Sequence, residues 1–419
     1  MAKENYFPSV TDIEKAAETL SEILEPTLLQ KNANLSDRYD CEVYLKREDL
    51  QMVRSYKIRG AYNKIRSLSP EVLKYGIVCA SAGNHAQGVA FSCNKLHIMG
   101  SIYMPTTTPR QKIDSVKMFG KEYVDIVLTG DTFDAANSAA IEYTKRSGKT
   151  FIPPFDDRKI IEGQGTIAYE MVRQMEQPLD YVFIPIGGGG LASGVGAYLK
   201  QKWPETKIIG VEPAGAASMK ASIENGHATE LDTIDKFVDG AAVKKAGELT
   251  YEVCRQVLDD IITIPEGAVC TTIIEMYNKN AIVVEPAGAL SVAALRFYAD
   301  HIHGKRVGCI VSGSNNDIIR MEEIREKSIL YEGLKHYFIV NFPQRPGAIL
   351  SFIRDIIGPT DELVYIQYIK QTNKEEGPAL IGIEVASKDD FHALLKRMEA
   401  NNVLYEYINE NNKLLEILI

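Results

Sequence analysis

The stretch Tyr181-Val182-Phe183-Ile184-Pro185-Ile186-Gly187-Gly188-Gly189-Gly190-Leu191 decides the architecture. Its apolar half does not alternate with polar residues, so it reads as a strand buried on both faces. Such strands belong to parallel sheets covered by helices. Four glycines follow, and residues 191–202 then take helical spacing. The chain therefore passes from strand to helix through backbone that carries no side chain. Successive N–H groups at a helix start bind an anion, most often phosphate. The alternative is a flexible turn, but four glycines would make an entropically costly one. The stretch lacks the Lys-Ser/Thr of a P-loop and the spaced triplet of the dinucleotide fingerprint. The ligand it predicts is a phosphorylated molecule smaller than a nucleotide.

Outward from this point the same alternation continues. Short apolar runs at 100–104, 124–128, 150–153 and 207–211 read as further strands. Residues 132–146 have helical spacing, with Phe133, Ala136, Ala139 and Ala140 on one side, and stop at Gly148; a second helix is expected near 165–175. Strands separated by helix-sized stretches imply parallel pairing through right-handed crossovers. The expectation is an open α/β sheet with ligand sites beyond the carboxyl ends of its strands. After Asp317 the texture changes. A charged helical connector at 318–331 leads to a strand at 336–342, a helix at 348–357 and strands near 364–370 and 379–385. A helix at 389–400 and a strand near 414–419 complete a β-α-β-β-α-β, ferredoxin-like unit. The domains expected are 1–320, a connector at 321–334, and an α+β unit at 335–419.

The chain has 419 residues, 47 Lys and Arg against 56 Asp and Glu, and a net charge of −9. No basic block offers a face for nucleic acid. No apolar run approaches the ~18–20 residues of a membrane span, and the start lacks the apolar core of a signal peptide. Six cysteines, at 41, 79, 93, 254, 270 and 309, form no CxxC pair. Disulfides and a zinc cluster are not expected, and the reading is a cytoplasmic protein with reduced thiols.

Three more segments carry chemistry. Ser55-Tyr56-Lys57-Ile58-Arg59-Gly60 contains a lysine that, taken alone, would be solvated. Ser81-Ala82-Gly83-Asn84-His85-Ala86-Gln87-Gly88 follows a strand-like run at 77–79. Ser81 can cap a helix there, and the small residues expose N–H groups suited to a carboxylate. An ordinary N-cap explains that segment equally well. Ser312-Gly313-Ser314-Asn315-Asn316 ends a buried strand and is a turn by default, although it can set a hydroxyl at the sheet's carboxyl edge.

Together, and in this order, the segments resemble the pyridoxal 5'-phosphate (PLP) enzymes of fold type II, the tryptophan-synthase β-subunit type. Phe237-Val238-Asp239-Gly240-Ala241-Ala242-Val243 and Glu285-Pro286-Ala287-Gly288-Ala289 match further. Within that group the whole chain is most similar to the biosynthetic threonine ammonia-lyases. The resemblance implies two subdomains in 1–320, the smaller over about 50–150. It implies that Lys57 is the Schiff-base lysine and the base for the α-proton. Gly187, Gly188, Gly189, Gly190 and Leu191 would cup the phosphate. Asn84 would face the ring hydroxyl and Ser312 the pyridine nitrogen. Ser81, Gly83, Asn84 and His85 would hold the substrate carboxylate, with His85 supporting the loop. A hydroxyl at Ser312 leaves the ring neutral and suits β-elimination of L-threonine, and also of L-serine, better than transamination. Ala82 stands where similar racemases carry a serine base, which disfavours racemisation.

Tyr56 departs from the phenylalanine of most relatives. Glu212 matches the first ligand of a cation site in some of them, but Ser218 stands where the second acid belongs, so no metal is expected. Glu162 and Asp239 are acidic candidates near the site without a role. The tail segment Phe342-Pro343-Gln344-Arg345-Pro346-Gly347 resembles the first turn of an ACT-like regulatory domain, which implies an isoleucine or valine effector. A homotetramer is also implied. The alternatives are a degradative serine/threonine dehydratase, which usually lacks such a tail, another PLP β-elimination or β-replacement enzyme, and a catalytically silent amino-acid sensor.

Overall fold

Strands buried on both faces can pair only where helices cover them, and here they do so in two sheets. The computed structural model describes residues 6–369, 375–411 and 414, in two units, Met1–Asp317 and Ile318–Ile419. In the first unit a six-stranded sheet runs Leu29–Lys31, Glu42–Arg47, Arg306–Val311, Tyr181–Pro185, Lys207–Pro213, Asp260–Ile264. The first pair is antiparallel and all the others are parallel. Val182, Phe183 and Ile184 are wholly buried in its middle, as a strand covered on both faces must be. A smaller, all-parallel sheet runs Val124–Leu128, Gly100–Met104, Ile77–Ala80, Thr150–Phe151.

The helix expected near 165–175 begins earlier and spans Arg158–Gln174, with the Asp157 carboxylate capping the N–H groups of Lys159 and Ile160. Gly163 and Gly165 lower the helix propensity of its first half, which hid its start. Their role lies in packing. A Cβ on Gly163 would lie 2.7 Å from the carbonyl oxygen of Arg59 and from Gly60 Cα; one on Gly165 would lie 3.0 Å from the carbonyl of Gly194. Backbone-to-backbone contact is thus what lets helix Arg158–Gln174 nest between Lys57–Arg66 and Gly190–Lys202.

A buried ionic cluster locks the same elements together. Arg59 donates to both oxygens of Glu48 at 2.8 Å and to both oxygens of Glu170 at 2.6 and 2.9 Å. Lys46 Nζ adds a bond to Glu170 at 2.6 Å. Two cations face two anions, so the cluster is neutral, and it joins strand Glu42–Arg47 to helices Lys57–Arg66 and Arg158–Gln174.

In the second unit the helix Met321–Tyr331 precedes strand Lys335–Pro343, helix Ala348–Ile356, strands Glu362–Tyr368 and Glu376–Glu384, helix Lys388–Ala400 and strand Tyr405–Tyr407. The sheet is antiparallel, in the order Glu362–Tyr368, Glu376–Glu384, Lys335–Pro343, Tyr405–Tyr407. Phe338, Phe342, Phe352, Ile381, Ile383 and Leu394 fill its core. The last strand was expected at 414–419, residues that apart from Leu414 lie outside those described. The edge position is taken by Tyr405–Tyr407, whose two tyrosine rings each stand 5.4 Å from the Phe338 ring.

Removing one partner from a buried ion cluster leaves the others uncompensated, at a cost of about 3–5 kcal/mol. Glu170→Ala should therefore lower the denaturant midpoint far more than the exposed control Glu142→Ala. Equal midpoints would show that the cluster does not stabilise the fold.

Candidate active site

The strand Tyr181–Pro185 delivers the four glycines to the carboxyl edge of the large sheet, and its neighbour Arg306–Val311 delivers Ser312 to the same edge. Gly189 has φ +92°, and helix Gly190–Lys202 starts directly after it. The glycine carbonyls turn away: Gly188 O accepts from Thr250 Oγ1 at 2.6 Å and Gly189 O from Ser193 N at 2.9 Å. Among the described residues no acceptor faces the N–H groups of Gly187–Gly190. A Cβ on Gly188 would strike the Phe155 ring, and one on Gly189 would strike Met219 and Thr250. The result is a cradle of free N–H groups at the positive end of a helix dipole, with the backbone of Leu191 continuing it. It is suited to a phosphate.

Lys57 opens helix Lys57–Arg66. It is tied to the same edge by the bond from Tyr56 N to Ser312 O at 3.2 Å and by the bridge between Ser55 and Gly313. Its Nζ donates to the carbonyl of Pro154 at 2.8 Å and lies 5.4 Å from the Tyr56 ring centre. Among the described residues no carboxylate bonds it. Burial pushes its pKa down to about 8, partly opposed by the charge of Glu285. The Tyr56 ring packs against the core of the large sheet.

Helix Asn84–Leu96 follows strand Ile77–Ala80 of the smaller sheet. Ser81 is not its cap, contrary to expectation. Gly83 occupies that position and the Ser81 hydroxyl accepts the Gly83 N–H at 3.2 Å, because the helix begins two residues too late for Ser81 to reach its first turn. His85 is buried, with Nε2 2.9 Å from the carbonyl of Ile152; a carbonyl can only accept, so Nε2 carries the hydrogen. Burial, then the Lys57 charge, hold its pKa at about 3, so the ring is neutral. Asn84 donates from Nδ2 to Glu285 at 2.6 Å and accepts at Oδ1 from Asn315 at 2.7 Å. Ser312 is buried and its hydroxyl donates to Ala287 O at 3.2 Å.

Every residue singled out in the sequence for cofactor or substrate thus comes from one of four loops. The acidic residues sort differently. Glu162 bonds Lys159 at 2.6 Å and does not join these loops. Asp239 pairs with Lys112 at 2.5 Å. Glu212 caps helix Ser218–Asn225 through the N–H groups of Met219 and Lys220, while the buried Ser218 hydroxyl has no partner. Glu285 and Asn315 belong to the site although neither had a role assigned from sequence; the one signal was that both lie inside the segments singled out there.

A depressed-pKa amine, a phosphate cradle without a lysine of its own, and a hydroxyl at the sheet edge fit a pyridoxal phosphate. Comparison with known proteins agrees. Residues 20–313 match the family of pyridoxal-phosphate dependent enzymes, and residues 326–418 match the C-terminal regulatory domain of threonine dehydratase. The chain is 54% identical to the biosynthetic L-threonine dehydratase of Bacillus subtilis over 100% of its own length and 99% of that protein's. It is 55% identical to that of Halalkalibacterium halodurans over 98% and 99%. Among solved structures, the processed form of threonine deaminase isoform 2 from Solanum lycopersicum superposes with a TM-score of 0.72 at 40% identity, covering 77% of this chain and 95% of that one. Maize serine racemase gives 0.71 at 27% identity, covering 78% and 100%. The chain belongs to the fold type II pyridoxal-phosphate dependent enzymes and, within them, to the biosynthetic threonine dehydratases.

Proposed function

We infer that this chain is a PLP-dependent threonine ammonia-lyase, converting L-threonine to 2-oxobutanoate and ammonia as the first step of isoleucine biosynthesis. Water leaves across Cα and Cβ and is regained when the released enamine hydrolyses, so the net reaction loses only ammonia. The observation that carries the reading is the half-buried Lys57 amine, which no carboxylate bonds among the described residues, on the same sheet edge as the free glycine N–H groups. PLP, when bound, supplies the electron sink that makes the α-proton acidic. The N–H groups of Gly187, Gly188, Gly189, Gly190 and Leu191 hold the cofactor phosphate. Ser312 would turn its single O–H from the Ala287 carbonyl to the ring nitrogen, and Asn84 would offer its amide to the ring hydroxyl. The N–H groups from Ser81 to His85, at the start of helix Asn84–Leu96, hold the substrate carboxylate. Lys57, neutral above about pH 8, takes the α-proton. Ala82 offers no second base, which keeps the outcome on elimination.

In the C-terminal unit, isoleucine or valine binds at the turn between strand Lys335–Pro343 and helix Ala348–Ile356, where Gly347 holds φ +84°. An effector acts only through unequal affinity for two states of the enzyme. We also take the enzyme to be a homotetramer in the cytoplasm, a compartment that suits its buried cysteines.

Three outcomes are expected. Borohydride reduction of the PLP-loaded protein followed by peptide mapping should label Lys57, and 2-oxobutanoate should form from threonine faster than pyruvate from serine. A label elsewhere, or a reversed preference, would overturn the assignment. Isoleucine should shift the threonine saturation curve and slow hydrogen exchange in residues 335–369. If neither changes, the C-terminal unit does not sense that amino acid.

A further inference from the structure

Glu285 is a buried acid that the mechanism above does not use. It holds the N-cap position of helix Pro286–Phe297, yet its side chain makes no capping bond. Instead it crosses to the opposite loops. Oε1 accepts from Asn84 Nδ2 at 2.6 Å, and the backbone N–H of Asn315 donates to the same carboxylate. The space is made by glycine: a Cβ on Gly313 would lie 2.5 Å from Oε1.

The hydrogen bonds around it have a forced direction. Asn315 Nδ2 donates to the backbone carbonyl of Val53 at 2.9 Å, and a carbonyl cannot donate. The nitrogen end of Asn315 is therefore fixed. Its other N–H donates to Asn84 Oδ1 at 2.7 Å, so Asn84 must present its nitrogen to Glu285. An ionised carboxylate, which only accepts, completes the chain. Asn84 is left with one N–H of Nδ2 uncommitted.

We propose that Glu285, together with Asn315, is the positioning residue for Asn84, fixing its amide so that one N–H is always offered to the hydroxyl of the pyridine ring. This rests on the cofactor reading of the site given above. It also ties the two sheets of the catalytic unit together, since Asn84 follows the smaller sheet and Glu285 and Asn315 belong with the larger. The charged and titratable groups facing Glu285 are Lys57 and Tyr56 from helix Lys57–Arg66 and its cap, Asp239 from the loop before Gly240, and Lys112 from helix Arg110–Gly120. Burial, with the Asp239 charge added, raises the Glu285 carboxyl to about 7, against the bonds from Asn84 and Asn315 and the charge of Lys112. Above that pH the carboxylate accepts and Asn84 is held. Below it the protonated acid is a poorer acceptor and the hold loosens.

The test uses the full-length, cofactor-free protein and 4'-deoxypyridoxine 5'-phosphate, which keeps the phosphate and ring hydroxyl but has no aldehyde to react with Lys57. Glu285→Gln supplies one acceptor oxygen for two donors. Asn315→Ala removes the group that orients Asn84. Both should weaken the analogue about tenfold or more at pH 8 without lowering the thermal midpoint of the cofactor-free protein in proportion. Wild-type affinity should also fall as pH drops through about 7, and in Glu285→Gln that step should vanish. Unchanged affinity with an unchanged pH step in Glu285→Gln would overturn the proposal. So would a loss of affinity that merely tracks lost stability in both variants. If the glutamine variant does not fold, the Asn315→Ala affinity decides alone. A wild-type protein that takes up PLP at no lysine would overturn the site reading and this inference with it, a result seen before any variant is made.

Discussion

The catalytic unit is organised around one half-buried amine that no carboxylate bonds among the described residues. A lysine ammonium in such a place would normally acquire a carboxylate or lose its charge. Among the described residues Nζ of Lys57 hydrogen-bonds the carbonyl of Pro154, and the charge of Glu285 only partly opposes burial, so the amine loses its proton at a lower pH than a free lysine, as the proposed role of nucleophile and base requires. The remaining loops hold that amine still. Residues 312–316 are zipped to residues 49–56 by Ser314 N on Arg54 O at 2.9 Å, Ser314 Oγ on Asp49 O at 3.1 Å and Asn315 Nδ2 on Val53 O. Arg54 holds a left-handed φ of +58° within this zipper, a conformation that costs a non-glycine residue ~1–3 kcal/mol and persists only where neighbours enforce it.

Charge elsewhere in the unit is handled differently. The Arg59 cluster lies two residues beyond Lys57 and is fully compensated, with each guanidinium edge met by a carboxylate. A compensated cluster beside an uncompensated amine divides labour along one helix: Arg59 fixes where the helix lies, and Lys57 stays free to react. The glycine contacts at Gly60, Gly163 and Gly194 do the same through backbone proximity, allowing the three helices to approach more closely than side chains would permit.

Much of this was legible in the sequence, and the exceptions have physical causes. The strands at 100–104 and 124–128 read correctly because both are short, apolar and closed by turn residues. The glycine run announced a helix start because nothing else explains four glycines in a row. The first half of helix Arg158–Gln174 was obscured by Gly163 and Gly165, whose value appears only against a neighbouring backbone. Ser81 was misplaced as a cap because a capping residue and a turn-forming serine two positions earlier look alike. The strand Tyr405–Tyr407 was not read because hydrophobicity alone cannot register the Tyr405 and Tyr407 contacts with Phe338. Glu285 could not be read at all. An acid before a proline looks like an ordinary helix start, and its partner Asn84 is 201 residues away.

The most direct test of the central claim is the titration of the Lys57 amine itself, followed in cofactor-free protein by the pH dependence of its reductive methylation and resolved by peptide mapping. The account predicts a midpoint at about 8, well below the ~10.4 of a lysine in a free peptide. A midpoint for Lys57 indistinguishable from that of the exposed lysines would mean the amine is solvated or paired, and would contradict the account.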